Sequence, residues 1–116
     1  MEIRTERLIL RRPRLADLPA VVAACQDSEI SRFIPFVPVP YSEADGRAFL
    51  DSVERAWEES DERTFAICGD DDLLIGAVTV RLHEEGTVGY WLAPGARGRG
   101  LMTEAVSAVV QWAREE

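Results

Sequence analysis

With 116 residues and a formal net charge of −8, the chain has room for a single domain and presents a surface that repels nucleic acid overall. Its 47% hydrophobic and 29% charged composition excludes a disordered or collagen-like protein. All 13 basic residues are Arg, so an anion must be met by a local positive site.

No stretch approaches the length of a membrane span, and "MEIRTERLIL" opens on charges instead of a signal-peptide pattern, so the expected location is cytoplasmic, with neither membrane nor nucleic acid as a partner. "RLILRR", Arg7 to Arg12, alternates charged and apolar residues as a strand does, and Pro13 closes it. "LADLPAVVAACQ" follows, with Leu15, Leu18, Val22 and Cys25 on one helical face and Pro19 tolerated in the first turn. "SRFIPFVPVPYS", Ser31 to Ser42, reads as a rigid apolar loop whose aromatic rings either pack on the core or face a ligand.

A long helix is predicted from Ser42, where "SEAD" places Asp45 as the partner in a capping box. Its stripe is Ala44, Ala48, Phe49, Val53, Ala56 and Trp57. "TFAICG" and "LLIGAVTVRLH" read as antiparallel strands joined by the acidic turn Asp70 to Asp72, and "EEG" turns into the strand Thr87 to Leu92. Leu101, Ala105, Ala108, Val109 and Trp112 then mark a final helix. The order β-α-α-β-β-β-α is an α/β arrangement of the α+β type, an antiparallel meander flanked by helices. Cys25 and Cys68 lie in apolar segments without CxxC spacing and read as buried free thiols. His83, the lone histidine, has no partners at metal or triad spacing, so no metal is expected.

The chemistry concentrates in "WLAPGARGRGLMTEA". A helix start leaves its first N–H groups without intrahelical acceptors and carries partial positive charge. Gly98 and Gly100 strip the bulk from that start, and Arg97 and Arg99 charge it. Three charge-assisted hydrogen bonds there would hold a diphosphate by on the order of 5 kcal/mol. A Walker loop needs a Lys that the chain lacks, and a dinucleotide fingerprint needs glycine where Thr103 stands.

"ARGRGLMTEA" resembles the Arg/Gln-x-x-Gly-x-Gly/Ala acyl-CoA signature of the GNAT N-acetyltransferases, with Arg97 in the first place, Gly100 in the fourth and Met102 where Gly or Ala is commonest. "VGYWLAP" and "IRTERLILRRPRLADLPAV" are similar to the subgroup that includes ribosomal-protein-alanine N-acetyltransferases. The resemblance implies a mixed, mostly antiparallel sheet, acetyl-CoA as acyl donor and a primary amine as acceptor, on a protein N-terminus or a small molecule. It implies that the amides of Arg97, Gly98, Arg99, Gly100, Leu101, Met102 and Thr103 hold the coenzyme A diphosphate. Leu92 and Ala93 would pair with pantetheine, and the Leu92 N–H would meet the thioester oxyanion. Phe33, Pro35, Phe36 and Trp57 would line the acceptor side.

Glu104 fits support of the helix's positive end better than proton abstraction, and neither it nor Tyr90 stands out as general base. The family continues past this helix with a strand that splays from Thr87–Leu92. Residues 1–116 are therefore expected to be a single, C-terminally incomplete domain with an open sheet edge suited to homodimerisation or strand exchange. The alternative function is a non-catalytic acyl-CoA-binding or dimerisation fragment.

Overall fold

The computed structural model describes residues 2–26, 40–82 and 87–115. In chain order they form β1 (Glu2–Arg4), β2 (Ile9–Arg11), α1 (Leu18–Ala24), α2 (Glu43–Glu59), β3 (Glu62–Cys68), β4 (Leu74–Arg81), β5 (Thr87–Leu92) and α3 (Leu101–Glu115). Short 3-10 turns stand at Leu15–Asp17 and Pro94–Ala96. The strands make one five-stranded sheet in the order β1-β2-β3-β4-β5, and each neighbouring pair is antiparallel. The expected α/β meander is therefore present with one strand added. β1 has three residues, two of them charged, so it offers no alternating run to read, and its pairing with β2 holds it in place.

Strand alternation sorts the core onto two faces. Leu10, Phe65, Ile67, Val78 and Val80 point to one side, where Leu101, Ala105 and Val109 of α3 cover them. Ile9, Ala66 and Cys68 point to the other, beneath Val21 of α1 and, at the rim, Phe49 of α2. Trp57 reaches from the end of α2 to Phe65 and Trp112, with ring centroids 5.3 and 6.2 Å away, and its indole N–H donates to the Thr64 carbonyl at 2.9 Å. Both cysteines are buried free thiols, and burial pushes Cys25 up to about 11 and Cys68 up to about 12.

The predicted capping box of α2 forms as expected: the Asp45 N–H donates to Ser42 Oγ at 3.1 Å and the Ser42 N–H to Asp45 Oδ2 at 2.8 Å. The predicted stripes of α1 and α2 need correction. In α2 the buried residues are Gly46, Leu50 and Val53, whereas Ala44 and Ala48 are exposed. Gly46 explains the rotation, since a Cβ there would sit 2.6 Å from Leu18 Cδ1 and α1 packs into the gap. Leu15 is exposed because the 3-10 turn ahead of α1 breaks the helical phase, and Leu18, Val21 and Ala24 form the buried face.

The least sequence-like feature of the core is a buried arginine. Arg11, on β2, is 4% exposed. Its Nη1 and Nη2 donate to Asp17 at 2.9 and 2.7 Å, and Nε donates to Asp72 Oδ1 at 2.9 Å. The carbonyls of Arg12 and Asp72 accept the remaining protons at 3.1 and 3.3 Å. All five guanidinium protons are used. Arg14 joins from outside by pairing with Asp72. The network ties β2 to the turn before α1 and to the acidic turn between β3 and β4, where Asp72 has φ +63°. Asp17→Ala is expected to lose about 3–5 kcal/mol in denaturant unfolding, because it removes the bidentate partner of a buried cation and leaves two of its protons unmet. An Arg11→Met, Asp17→Leu double variant is expected to recover most of that loss, and a double variant as unstable as the single one would contradict this account.

Candidate functional site

The site begins where β5 ends. The Ala93 N–H donates to the Ile75 carbonyl of β4 at 2.8 Å. Successive residues of an antiparallel strand turn their amides to opposite sides, so Leu92 and Tyr90 direct theirs away from β4. Among the described residues no strand covers that outer side. β5 is drawn tightly against β4 at this point: a Cβ on Gly76 would lie 2.4 Å from the Trp91 carbonyl oxygen. The Leu92 side chain fills the space beside Gly76 and is buried in the core under α3.

The chain then makes the Pro94–Ala96 turn and reaches Arg97. The Arg97 N–H is occupied by the Pro94 carbonyl at 3.3 Å. Its guanidinium folds back so that Nε and Nη2 both donate to the Leu92 carbonyl, at 3.2 and 3.0 Å. Gly98 and Gly100 have φ +79° and +72°, a backbone conformation that glycine adopts without strain. A Cβ on Gly98 would meet nothing within 4 Å, so the turn lies open. The Gly100 carbonyl accepts the Glu104 N–H at 3.2 Å, which makes Gly100 the cap of α3.

Among the described residues no acceptor meets the amides of Gly98, Arg99 or Gly100. Those of Leu101, Met102 and Thr103 lack intrahelical acceptors by helix geometry. Leu101 is buried and Met102 packs half-buried against the same cluster. The Met102 side chain therefore lies along the core. Residues 97–100 are all exposed. The result is a row of N–H groups at a positive helix end, with Arg99 beside it, in a molecule of net charge −8.

A support beneath this turn was not apparent from the sequence. Arg7, between β1 and β2, donates through Nη1 to the Arg99 carbonyl at 2.8 Å and through Nε to Glu104 Oε1 at 2.7 Å. The Arg7 N–H donates to Glu104 Oε2 at 3.0 Å, and the Thr5 hydroxyl donates to that same oxygen. A charged residue and a hydroxyl at a tight turn, facing an acid one turn into α3, were the available signal. Their separation of 97 residues hid the pairing.

A model of the acetyltransferase (GNAT) domain matches residues 7–116. The chain belongs to the GNAT acetyltransferase family. An uncharacterized N-acetyltransferase of Bacillus subtilis, YnaD, is 29% identical over 119 residues, covering all of this chain and 67% of that protein. The crystal structure of an acetyltransferase from Agrobacterium tumefaciens superposes with a TM-score of 0.76 at 26% identity, covering 99% of this chain and 67% of that one. The microcin C7 self-immunity acetyltransferase MccE, solved in complex with acetyl-CoA and AMP, shares the fold with a TM-score of 0.77 at 17% identity, over 96% of this chain and 64% of MccE. This GNAT chain thus spans about two thirds of the length of each.

The remaining sequence candidates of this GNAT domain fall in three places. Phe33, Pro35 and Phe36 lie outside the described residues, as does His83. Trp57 belongs to the aromatic cluster with Phe65 and Trp112 and lies under the guanidinium groups of Arg12 and Arg63, 4.8 and 5.3 Å from its ring. Those contacts join α2 to α3. Tyr90 is exposed on the edge strand.

Glu104 is engaged on both oxygens, and the Thr5 hydroxyl, then the Arg7 amide and guanidinium, hold its carboxyl below the ordinary value of 4.5. A group depressed in the folded state adds stability above its unfolded pKa and loses it as pH falls through the folded pKa. Glu104→Gln should therefore melt a few degrees lower than the parent at pH 7. The gap should narrow below about pH 4.5 and close once Glu104 protonates in the folded protein. A gap that persists unchanged at pH 2.5 would count against this ion pair.

Proposed function

We propose that this GNAT domain binds acetyl-CoA at the α3 mouth and transfers its acetyl group to a primary amine. The observation that carries the reading is the open turn at Gly98 and Gly100, with unmet amides aimed out of the helix start. A coenzyme diphosphate supplies the anionic oxygens that such amides need, and Arg99 adds an exposed positive charge. From Arg97 the ligand is met by the side of the turn alone, because its amide already serves Pro94. The acetyl-CoA complex of MccE, a protein of the same fold, supports this assignment.

Pantetheine would follow the outer side of β5, where Leu92 and Tyr90 turn their backbone groups away from β4. The Leu92 carbonyl is claimed by Arg97, which leaves its N–H to face the thioester and stabilise charge developing on the carbonyl oxygen. Glu104, locked by Arg7 and Thr5, is a support of the turn and takes no part as base. Acyl transfer also needs a neutral amine. An α-amino group with pKa about 7.7–8.0 is roughly a tenth neutral at pH 7, against about one in a few thousand for a lysine near 10.4. On that ground the acceptors we favour are protein N-termini and small amines of low pKa.

The experiment is a thiol-release assay with acetyl-CoA and a panel of N-terminal peptides, lysine peptides and small amines, alongside calorimetric titration with coenzyme A. Binding with turnover, fastest for α-amines, is the expected result. Binding without turnover would support the non-catalytic reading, and no binding would remove the assignment. Gly98→Val, which forces a branched side chain to φ +79°, and Gly100→Glu, which sets a carboxylate at the cradle, should each weaken coenzyme A by roughly 10–100-fold. Parent-like affinity in both would move the diphosphate elsewhere.

A further inference from the structure

We infer that Arg7 is a positioning residue for the diphosphate: it fixes the Arg99–Gly100 peptide so that the Gly100 amide faces the ligand. The inference rests on the coenzyme reading and deepens it. In a trans peptide the carbonyl and the following N–H point in opposite directions. Arg7 Nη1 holds the Arg99 carbonyl at 2.8 Å. The Gly100 N–H must then point away from Arg7, out of the turn. The guanidinium sits directly beneath, since a Cβ on Gly100 would lie 3.6 Å from Arg7 Nη2.

Such a clamp is needed at this peptide because a flip turns about Arg99 ψ and Gly100 φ, and Gly100, already at φ +72°, offers little steric resistance on its side. A flipped peptide would present the Arg99 oxygen to the phosphate and replace an attraction with a repulsion. The clamp is itself held rigid. Glu104 takes Nε and the Arg7 amide, the Thr5 hydroxyl meets Glu104 Oε2, and the Leu8 N–H donates to Thr5 Oγ1 at 3.0 Å, which directs the hydroxyl proton toward Glu104. Because Glu104 neutralises it, Arg7 acts through geometry more than through net charge. The planar fork that serves two acceptors at once is a property of arginine that lysine lacks.

The test compares Arg7→Met, Arg7→Lys and Thr5→Val in the full chain by calorimetry, using coenzyme A and pantetheine, which lacks the diphosphate. Both Arg7 variants should raise the Kd for coenzyme A by about 10–30-fold, the loss of one charge-assisted hydrogen bond, with the Kd for pantetheine changed less than about twofold. Thr5→Val, which loosens Glu104 without removing Arg7, should raise the coenzyme A Kd by about 2–5-fold with the same selectivity. Parent-like binding by Arg7→Lys would show that charge alone matters and overturn the inference. So would equal weakening of coenzyme A and pantetheine, or no change in Thr5→Val. If the parent itself fails to bind coenzyme A, the proposed function falls first and takes this inference with it.

Discussion

A peptide plane cannot offer its carbonyl and its amide to the same side, and the end of this sheet is organised around that constraint. Two arginines exploit it. Arg97 holds the Leu92 carbonyl while the next amide, Ala93, bonds back to Ile75. Arg7 holds the Arg99 carbonyl while the next amide, Gly100, is turned outward. Arg97 gives Nε and Nη2 to one backbone oxygen, and Arg7 divides its donors between the Arg99 oxygen and Glu104, so both guanidinium groups work as braces as well as charges. The row of outward N–H groups is the product of those braces together with two glycines at positive φ.

The braces are only as firm as the strands beneath them. Arg7 lies between β1 and β2, and β2 is anchored by Arg11, whose buried guanidinium links it to Asp17 and Asp72. A fully satisfied ion pair of this kind adds little net stability over an apolar substitute, yet it strongly penalises any arrangement that separates the partners. It therefore fixes where β2 lies with respect to α1 and the β3–β4 turn. The same strand sets the height at which Arg7 meets α3. A core constraint and a site constraint are in this way continuous along one stretch of chain.

Local patterns in the sequence were enough to reveal the meander, the capping box of α2, the apolar face of α3 and the glycine turn. Each of these is written within a few neighbouring residues. What escaped the reading depends on partners far apart. Thr5 and Arg7 meet Glu104, Arg11 meets Asp72, and Gly46 admits Leu18, none of which has a local signature. β1 escaped for a related reason, because a strand of three residues is defined by its neighbour. Trp57 is the converse case. Its helical position was legible, but its ring partners Phe65 and Trp112 come from β3 and α3 and have no local signature.

The tryptophans also divide the molecule into two optical regions. Trp57 and Trp112, 6.2 Å apart and tilted by 46°, are close enough for their excited states to couple, so the near-ultraviolet dichroism of that pair reports the docking of α2 and α3. Trp91 stands apart, on the opposite face of the sheet and one residue before Leu92. Its emission follows the environment of the edge strand. Unfolding of the layers and changes at β5 thus have separate intrinsic chromophores, and the protein carries its own two-channel readout without a label.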